Sequence, residues 1–258
     1  MDLRLSGKKV IVTGASKGIG AGVAEWFARE GCEVFLVSRT EADLRAAAAR
    51  LPDAARPPSI LPIDISQAGA VERIFEWCPD ADILINNAGA IPPGDLLQID
   101  KETWRKAWDM KIYGYIDLSR LYFGAMSNRR AGVIVNIIGA AGEIADSNYI
   151  VGATGNAALI AFTRALGATS LDNGVRVNGI NPGPVETDRL VMLLKNRALQ
   201  KFNDESRWEE FCAHFPLGRS ASVDEIAAAT VFLASPLSNY TSGATLTIDG
   251  GLSKRVLS

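Results

Sequence analysis

Thr13-Gly-Ala-Ser-Lys-Gly-Ile-Gly20 ends one pattern and begins another. Before it runs Lys8-Lys-Val-Ile-Val-Thr-Gly14, an apolar stretch that reads as a strand buried on both faces. After it a helical pattern extends from Gly18 to Glu30. Gly14, Gly18 and Gly20 let the backbone turn tightly and approach an anion at the helix N-terminus. Free N–H groups and the helix dipole favour negative charge there. Glycine spacing is weak evidence alone, because any tight strand-to-helix turn needs glycine. Its place in the first βα turn of an alternating chain strengthens the reading of a dinucleotide-binding loop.

The alternation continues to the C-terminus. Strands are expected at 33–37, Ile60–Ile63, 82–85, 132–138, 175–180 and 244–249, with helices at 41–50, near 67–77 and at 223–234. Asp100 is placed to cap a long helix reaching about 127, and Ser222-Val-Asp-Glu225 reads as a capping box. The stretch Ser147–Gly167 is helical in its second half but carries Gly152, Gly155 and Asn156 within two turns, where each glycine costs roughly 0.5–1 kcal/mol relative to alanine. Apolar strands separated by helices predict an α/β fold. The expectation is a Rossmann-type doubly wound parallel sheet of about seven strands, with helices on both faces and one domain over 1–258.

Of the 258 residues 48% are apolar, enough for a sizeable core, and the formal net charge is −2. Near-neutrality argues against nucleic acid or an anionic membrane surface as partner. No apolar run is expected to reach the roughly 20 residues of a membrane span, and no signal-peptide pattern opens the chain. Cys32, Cys78 and Cys212 are odd in number and scattered, which suggests buried free thiols and a cytoplasmic protein. The single histidine, His214, excludes a multi-histidine metal site.

Five segments in order resemble the short-chain dehydrogenase/reductase family: the glycine loop 13–20, Ile63-Asp-Ile65, Asn86-Asn-Ala-Gly89, Pro182-Gly-Pro-Val-Glu-Thr187 and Thr247-Ile-Asp-Gly-Gly251. The resemblance runs nearly end to end and implies a nicotinamide cofactor held by Gly14, Ser16, Lys17, Gly18, Ile19 and Gly20. Asp64 and Ile65 would meet adenine, Asn87, Ala88 and Gly89 the ribose, and Val185 and Thr187 the nicotinamide carboxamide. NAD binders usually end the second strand with a carboxylate for the ribose 2′-hydroxyl. Here that end reads Val37-Ser-Arg-Thr40, so Arg39, with Lys17 in the loop, suits a 2′-phosphate and predicts NADP(H). Against this stands the reading of both cations as ordinary surface charges.

The same resemblance implies a serine, a Tyr-x-x-x-Lys pair and an asparagine at the catalytic centre. Alignment on Ala157–Leu166 instead puts Gly139, Gly152, Asn156 and Lys111 at those four positions. Lysine and asparagine look exchanged between two helices, so the Lys111 ammonium could reach the nicotinamide ribose from the opposite wall, or be a plain solvated lysine. Tyr149, one turn before Gly152, is a candidate phenol if it precedes the helix, and Tyr113 and Tyr115 are others. Lys111, Tyr149 and Asn156 are therefore the candidate catalytic set.

The segment 188–216 is expected to form a lid. Leu190, Met192, Leu193, Leu194, Phe202, Trp208 and Phe211 are its candidate apolar lining, with Arg189, Arg197 or Arg207 available for a carboxylate or thioester carrier; the lid could equally pack its apolar face on the sheet. The chain so read is an NADP(H)-dependent oxidoreductase acting on a partly apolar small molecule. The alternative is a non-catalytic NADP(H)-binding sensor or partner subunit. The family resemblance also implies a homotetramer or homodimer.

Overall fold

The computed structural model describes residues 2–52, 57–144 and 146–255. Seven parallel strands form one sheet in the order β3-β2-β1-β4-β5-β6-β7: β1 Lys9–Thr13, β2 Glu33–Ser38, β3 Ser59–Pro62, β4 Ile83–Asn86, β5 Gly132–Ile137, β6 Val175–Pro182 and β7 Thr245–Ile248. Period-two alternation explains why these strands are apolar throughout. Val10 and Val12 enter the core on one face, and Ile11, Leu84 and Ile134 enter the core on the other. The chain reverses its direction of winding between β3 and β4, so β1 and β4 lie side by side, and the crevice above their carboxyl ends is where such sheets bind ligands.

Helices α1 (Gly18–Arg29), α2 (Glu41–Ala48) and α3 (Ala70–Trp77) follow the first three strands. The helix expected from Asp100 to about 127 is interrupted. Asp100 does cap it, accepting from Thr103 N at 2.7 Å, and α4 runs over Lys101–Trp108. A π-helical turn, Asp109–Tyr113, then intervenes before α5, Gly114–Asn128. Such turns insert a residue into the helical ladder and re-aim the side chains they carry. Lys111 sits in the middle of this one.

Helix α6, Ile150–Ser170, passes close to that turn because Gly155 faces it. A Cβ there would lie 2.9 Å from Ile112 Cδ1 and 3.2 Å from Trp108 Nε1. With the turn that follows, α6 is long and apolar enough, by length and composition, to cross a membrane, contrary to the expectation that no run reaches such a length. In this fold it packs on the sheet, where Thr163 accepts from Asn136 of β5 at 2.9 Å, and its buried Leu159 and Ile160 join Ile112, Tyr115 and Ile138. Helix α7, Asp188–Phe202, is capped by Thr187, and α8, Val223–Ala234, carries both bonds of the Ser222–Glu225 capping box. Cys32, Cys78 and Cys212 are buried and unpaired, and burial pushes the Cys32 and Cys78 thiols up to about 12, out of reach of thiolate chemistry.

Candidate active site

Two cavities follow the carboxyl ends of the strands. One, of about 420 Å3, is lined by Gly14, Ser16, Lys17, Gly18, Ile19, Asn87, Ala88, Gly89, Lys111 and Thr187; the other, of about 120 Å3, by Gly14, Ser38, Arg39, Asp64, Ile65, Ala88 and Gly89. The N-terminus of α1 opens on the first. It has no capping side chain and no acidic residue in its first turn, so its N–H groups are left for an anion.

Thr13 fastens the loops around these cavities. Its Oγ1 donates to Ile85 O at 3.2 Å and accepts from Asn87 N and Ala88 N at 2.9 and 3.0 Å. The Asn87 amide donates back to Thr13 O and Gly14 O, at 2.9 and 3.2 Å, so it braces the glycine loop as well as bordering the cavity. Gly20 does not line either cavity. It is buried, and a Cβ there would run into Gly14 O and the Asn87 amide, so its contribution is close packing.

The cations at the adenosine end divide. Arg39 lines the smaller cavity beside Ser38, whose Oγ is 2.9 Å from Ser16 Oγ. Lys17 pairs instead with Asp43 of α2 at 3.0 Å and does not line that cavity, contrary to the expectation that it shares the ribose end with Arg39. The pair is exposed and therefore weak. Asp64 accepts from Ser66 N and Oγ with one oxygen, at 3.0 and 2.7 Å, which leaves the other for a ligand.

A third cavity, of about 570 Å3, adjoins the first and shares Ile19, Lys111, Ile138, Gly139, Thr187 and Arg189 with it. Lys111, Tyr149 and Asn156 all border it, as does Val185. Lys111 Nζ donates to Ile138 O at 2.5 Å. Burial, and then the nearby Arg189 charge, bring its pKa down to about 7.

Tyr149 stands just before α6, as the residue at its N-cap, where the helical tilt of side chains does not apply. It is held there by a bridge to the loop at Gly94: Gly94 N donates to Asn148 O at 2.7 Å, and Ile150 N to Gly94 O at 3.4 Å. Its ring folds over Gly152, lying in the space that a Cβ at that position would occupy. Burial raises the phenol pKa, and the Arg189 guanidinium beside it pulls the other way.

Asn156 is 2% exposed, and its Oδ1 has no partner among the described residues. Its amide nitrogen packs on Gly139, where φ is 140° and a Cβ would come within 2.7 Å of it. The other tyrosines are elsewhere: Tyr115 is in the core, donating to Ile137 O at 2.9 Å, and Tyr113 is 51% exposed.

A family profile described as enoyl-(acyl carrier protein) reductase matches residues 14–253. The chain belongs to the short-chain dehydrogenase/reductase family. It is 31% identical to a 3-oxoacyl-[acyl-carrier-protein] reductase of Chlamydia pneumoniae, over 98% of this chain and 99% of the other. It is 35% identical to a galactitol 2-dehydrogenase (L-tagatose-forming) of Cereibacter sphaeroides, over 96% of both. The structure of L-sorbose reductase from Gluconobacter frateurii, complexed with NADPH and L-sorbose, superposes with a TM-score of 0.91 at 29% identity, over 99% of this chain and all of that one. The family shows an oxidoreductase of carbonyl and alcohol substrates on a seven-stranded parallel sheet.

Segment 188–216 supplies the expected cavity lining only in part. Leu190, Leu193 and Leu194 line the large cavity, but Met192 is 55% exposed, and Trp208 and the tilted ring pair Phe202–Phe211 are not among its lining residues. Arg189 and Arg197 line it; Arg207 lies over the Phe202 ring and pairs with Glu210. Two contributors had no signal in the sequence. Ile138 acts through its backbone carbonyl, and the loop at Gly94 acts by pairing with a segment far along the chain.

Proposed function

We propose that the protein is an NADP(H)-dependent oxidoreductase interconverting a carbonyl and an alcohol through a rearranged proton-transfer set. The family's customary serine, tyrosine, lysine and asparagine are absent from positions 139, 152, 156 and 111. One observation carries the reading: the replacements fit one another in pairs. Gly152 makes room for the Tyr149 ring, and Gly139 makes room for the Asn156 amide. Tyr149 and Lys111 border the same cavity, so one phenol and one ammonium remain together there.

The cofactor suits the residues present. The uncapped α1 N-terminus and Gly14–Gly20 loop would hold the diphosphate, Asp64 and Ile65 the adenine, and Val185 and Thr187 the carboxamide. Ser38 and Arg39 favour a 2′-phosphate, since no carboxylate ends β2. Bound NADPH supplies two electrons and a hydrogen to the substrate carbon. Lys111, with a pKa near neutrality, gives the proton to the developing alkoxide and takes it back in the reverse direction. Tyr149 donates a hydrogen bond to the same oxygen, its phenol kept protonated by burial that outweighs the opposing Arg189 charge. Asn156, with its orphaned acceptor, receives a hydroxyl of the bound ligand.

We also propose residues 1–258 as a single domain whose segment 188–216 serves as the lid, and a homotetramer or homodimer located in the cytoplasm. Leu246 on β7 and Phe232 on α8, 44% and 43% exposed, offer apolar surface for such an assembly. Light scattering after size exclusion reads its mass.

Steady-state NADPH oxidation over a panel of ketones and quinones tests the function, beside Lys111→Met and Tyr149→Phe. Turnover that falls about 10²–10⁴-fold in Lys111→Met supports it. Tight NADPH binding without turnover on any carbonyl would instead assign the chain to cofactor sensing or a partner role.

A further inference from the structure

The large cavity in front of Lys111 and Tyr149 carries an unbalanced charge. Its lining includes two arginines, Arg189 and Arg197, together with Lys111, which titrates near neutrality, and two carboxylates, Asp146 and Asp249. The carboxylates are turned onto their own backbone. Asp249 accepts from Gly251 N and Ser253 N, at 2.8 and 2.7 Å, and Asp146 accepts from Asn148 N at 2.9 Å. Neither arginine forms an ion pair among the described residues, whereas Arg207 and Arg219 nearby in sequence both do.

Arg189 is also fixed in place. Its Nη2 donates to Ile91 O at 2.5 Å, which anchors one edge of the guanidinium and leaves its other N–H groups for the cavity and the Tyr149 phenol. It stands on the wall shared by the cofactor-side and substrate-side cavities, next to the groups placed for proton transfer. Leu190, Leu193 and Leu194 continue the same wall, and Arg197 follows a little over two turns later, roughly 12 Å along the helix axis. The N–H groups of Arg189 beyond those on Ile91 O and the Tyr149 phenol remain for a carboxylate, with which a guanidinium forms charge-assisted hydrogen bonds.

We propose that the substrate is an oxo acid: a carbonyl compound whose carboxylate, close to the reacting carbon, is gripped by Arg189. Its apolar remainder lies along the leucines of α7, and Arg197 meets a second anionic group in longer substrates. The assignment rests on the reading of this site as a carbonyl reductase. The cofactor diphosphate is the other anion within the reach of this wall, and the test separates the two.

Pyruvate, phenylpyruvate and levulinate are compared with their methyl esters, as substrates and, by calorimetry, as ligands of the NADP+-saturated protein. The wild type should bind and turn over the acids at least about tenfold better than the esters. Arg189→Met should cut the acid-to-ester ratio of kcat/KM about thirtyfold or more, Arg189→Lys should recover part of it, and the NADPH Kd should move less than about twofold. Equal handling of acids and esters by the wild type, or an unchanged ratio in Arg189→Met, overturns the proposal. A large rise in NADPH Kd with an unchanged ratio does so too, and gives the guanidinium to the diphosphate. If nothing is turned over, yet phenylpyruvate outbinds its ester and loses that advantage in Arg189→Met, the carboxylate site stands and the reductase reading falls.

Discussion

Replacing Lys111 by methionine should make the protein more stable and less active. Lys111 is half-buried, and burial is the main reason its pKa falls from 10.5, the ordinary value for lysine, to about 7. That difference corresponds to about 5 kcal/mol of disfavoured charge in the folded state. The sign follows from which state holds the proton. Below pH 7 the lysine is charged both folded and unfolded, so the folded state bears the whole penalty. Between 7 and 10.5 the folded protein sheds the proton and the unfolded chain keeps it, and the penalty fades as pH rises. Methionine of similar volume removes the charge but leaves Ile138 O without its donor, a loss of about 1–3 kcal/mol. The net gain at pH 6 is therefore about 2–4 kcal/mol, or roughly 5–15 °C in Tm for a chain of this size. Thermal unfolding followed by circular dichroism at pH 6, 7.5 and 9 reads it, and the gap between variant and wild type should be widest at pH 6. A variant no more stable than wild type at pH 6, or a gap that widens toward pH 9, would refute the burial of a functional cation.

Other consequences are open to measurement. Reductive kcat/KM should fall as pH rises through about 7, where Lys111 loses the proton it donates, and Lys111→Met should flatten that profile. Tyr149→Phe should lower turnover about tenfold or more while leaving the NADPH Kd, followed by fluorescence titration, within about twofold. Gly152→Ala puts a methyl group into the Tyr149 ring, so despite the better helix propensity of alanine it should lose about 1–3 kcal/mol in urea unfolding as well as activity. Arg39→Ala should weaken NADPH about tenfold and NADH hardly at all; equal loss of both would remove the argument for a 2′-phosphate.

What the sequence reveals here is local chemistry. The Thr13–Gly20 loop, the Asp100 cap and the Ser222–Glu225 box are each written within a few residues, and each is found in place. The alternation of apolar strands with helices gives the seven-stranded sheet for the same reason. The π turn at Asp109–Tyr113 leaves no such mark, because the insertion it makes barely disturbs a helical pattern on either side. The position of Tyr149 turns on a helix boundary and on pairing with Gly94, and the anchoring of Arg189 turns on Ile91, far away in the chain. Lys17, placed by sequence beside the cofactor ribose, is paired with Asp43, which α2 brings to it. Contacts of this kind exist only once the fold has closed.

The catalytic centre, on this account, has been rebuilt around Lys111 and Tyr149. The most direct test is a single turnover with NADPH deuterated at the transferable position and phenylpyruvate as acceptor, read by mass spectrometry of the alcohol. Wild type should yield alcohol carrying the deuterium on carbon, and the double variant Lys111→Met, Tyr149→Phe should bind the cofactor yet form it at least about 100-fold more slowly. Labelled alcohol formed equally well by the double variant would contradict it, as would its absence from wild-type protein saturated with NADPH.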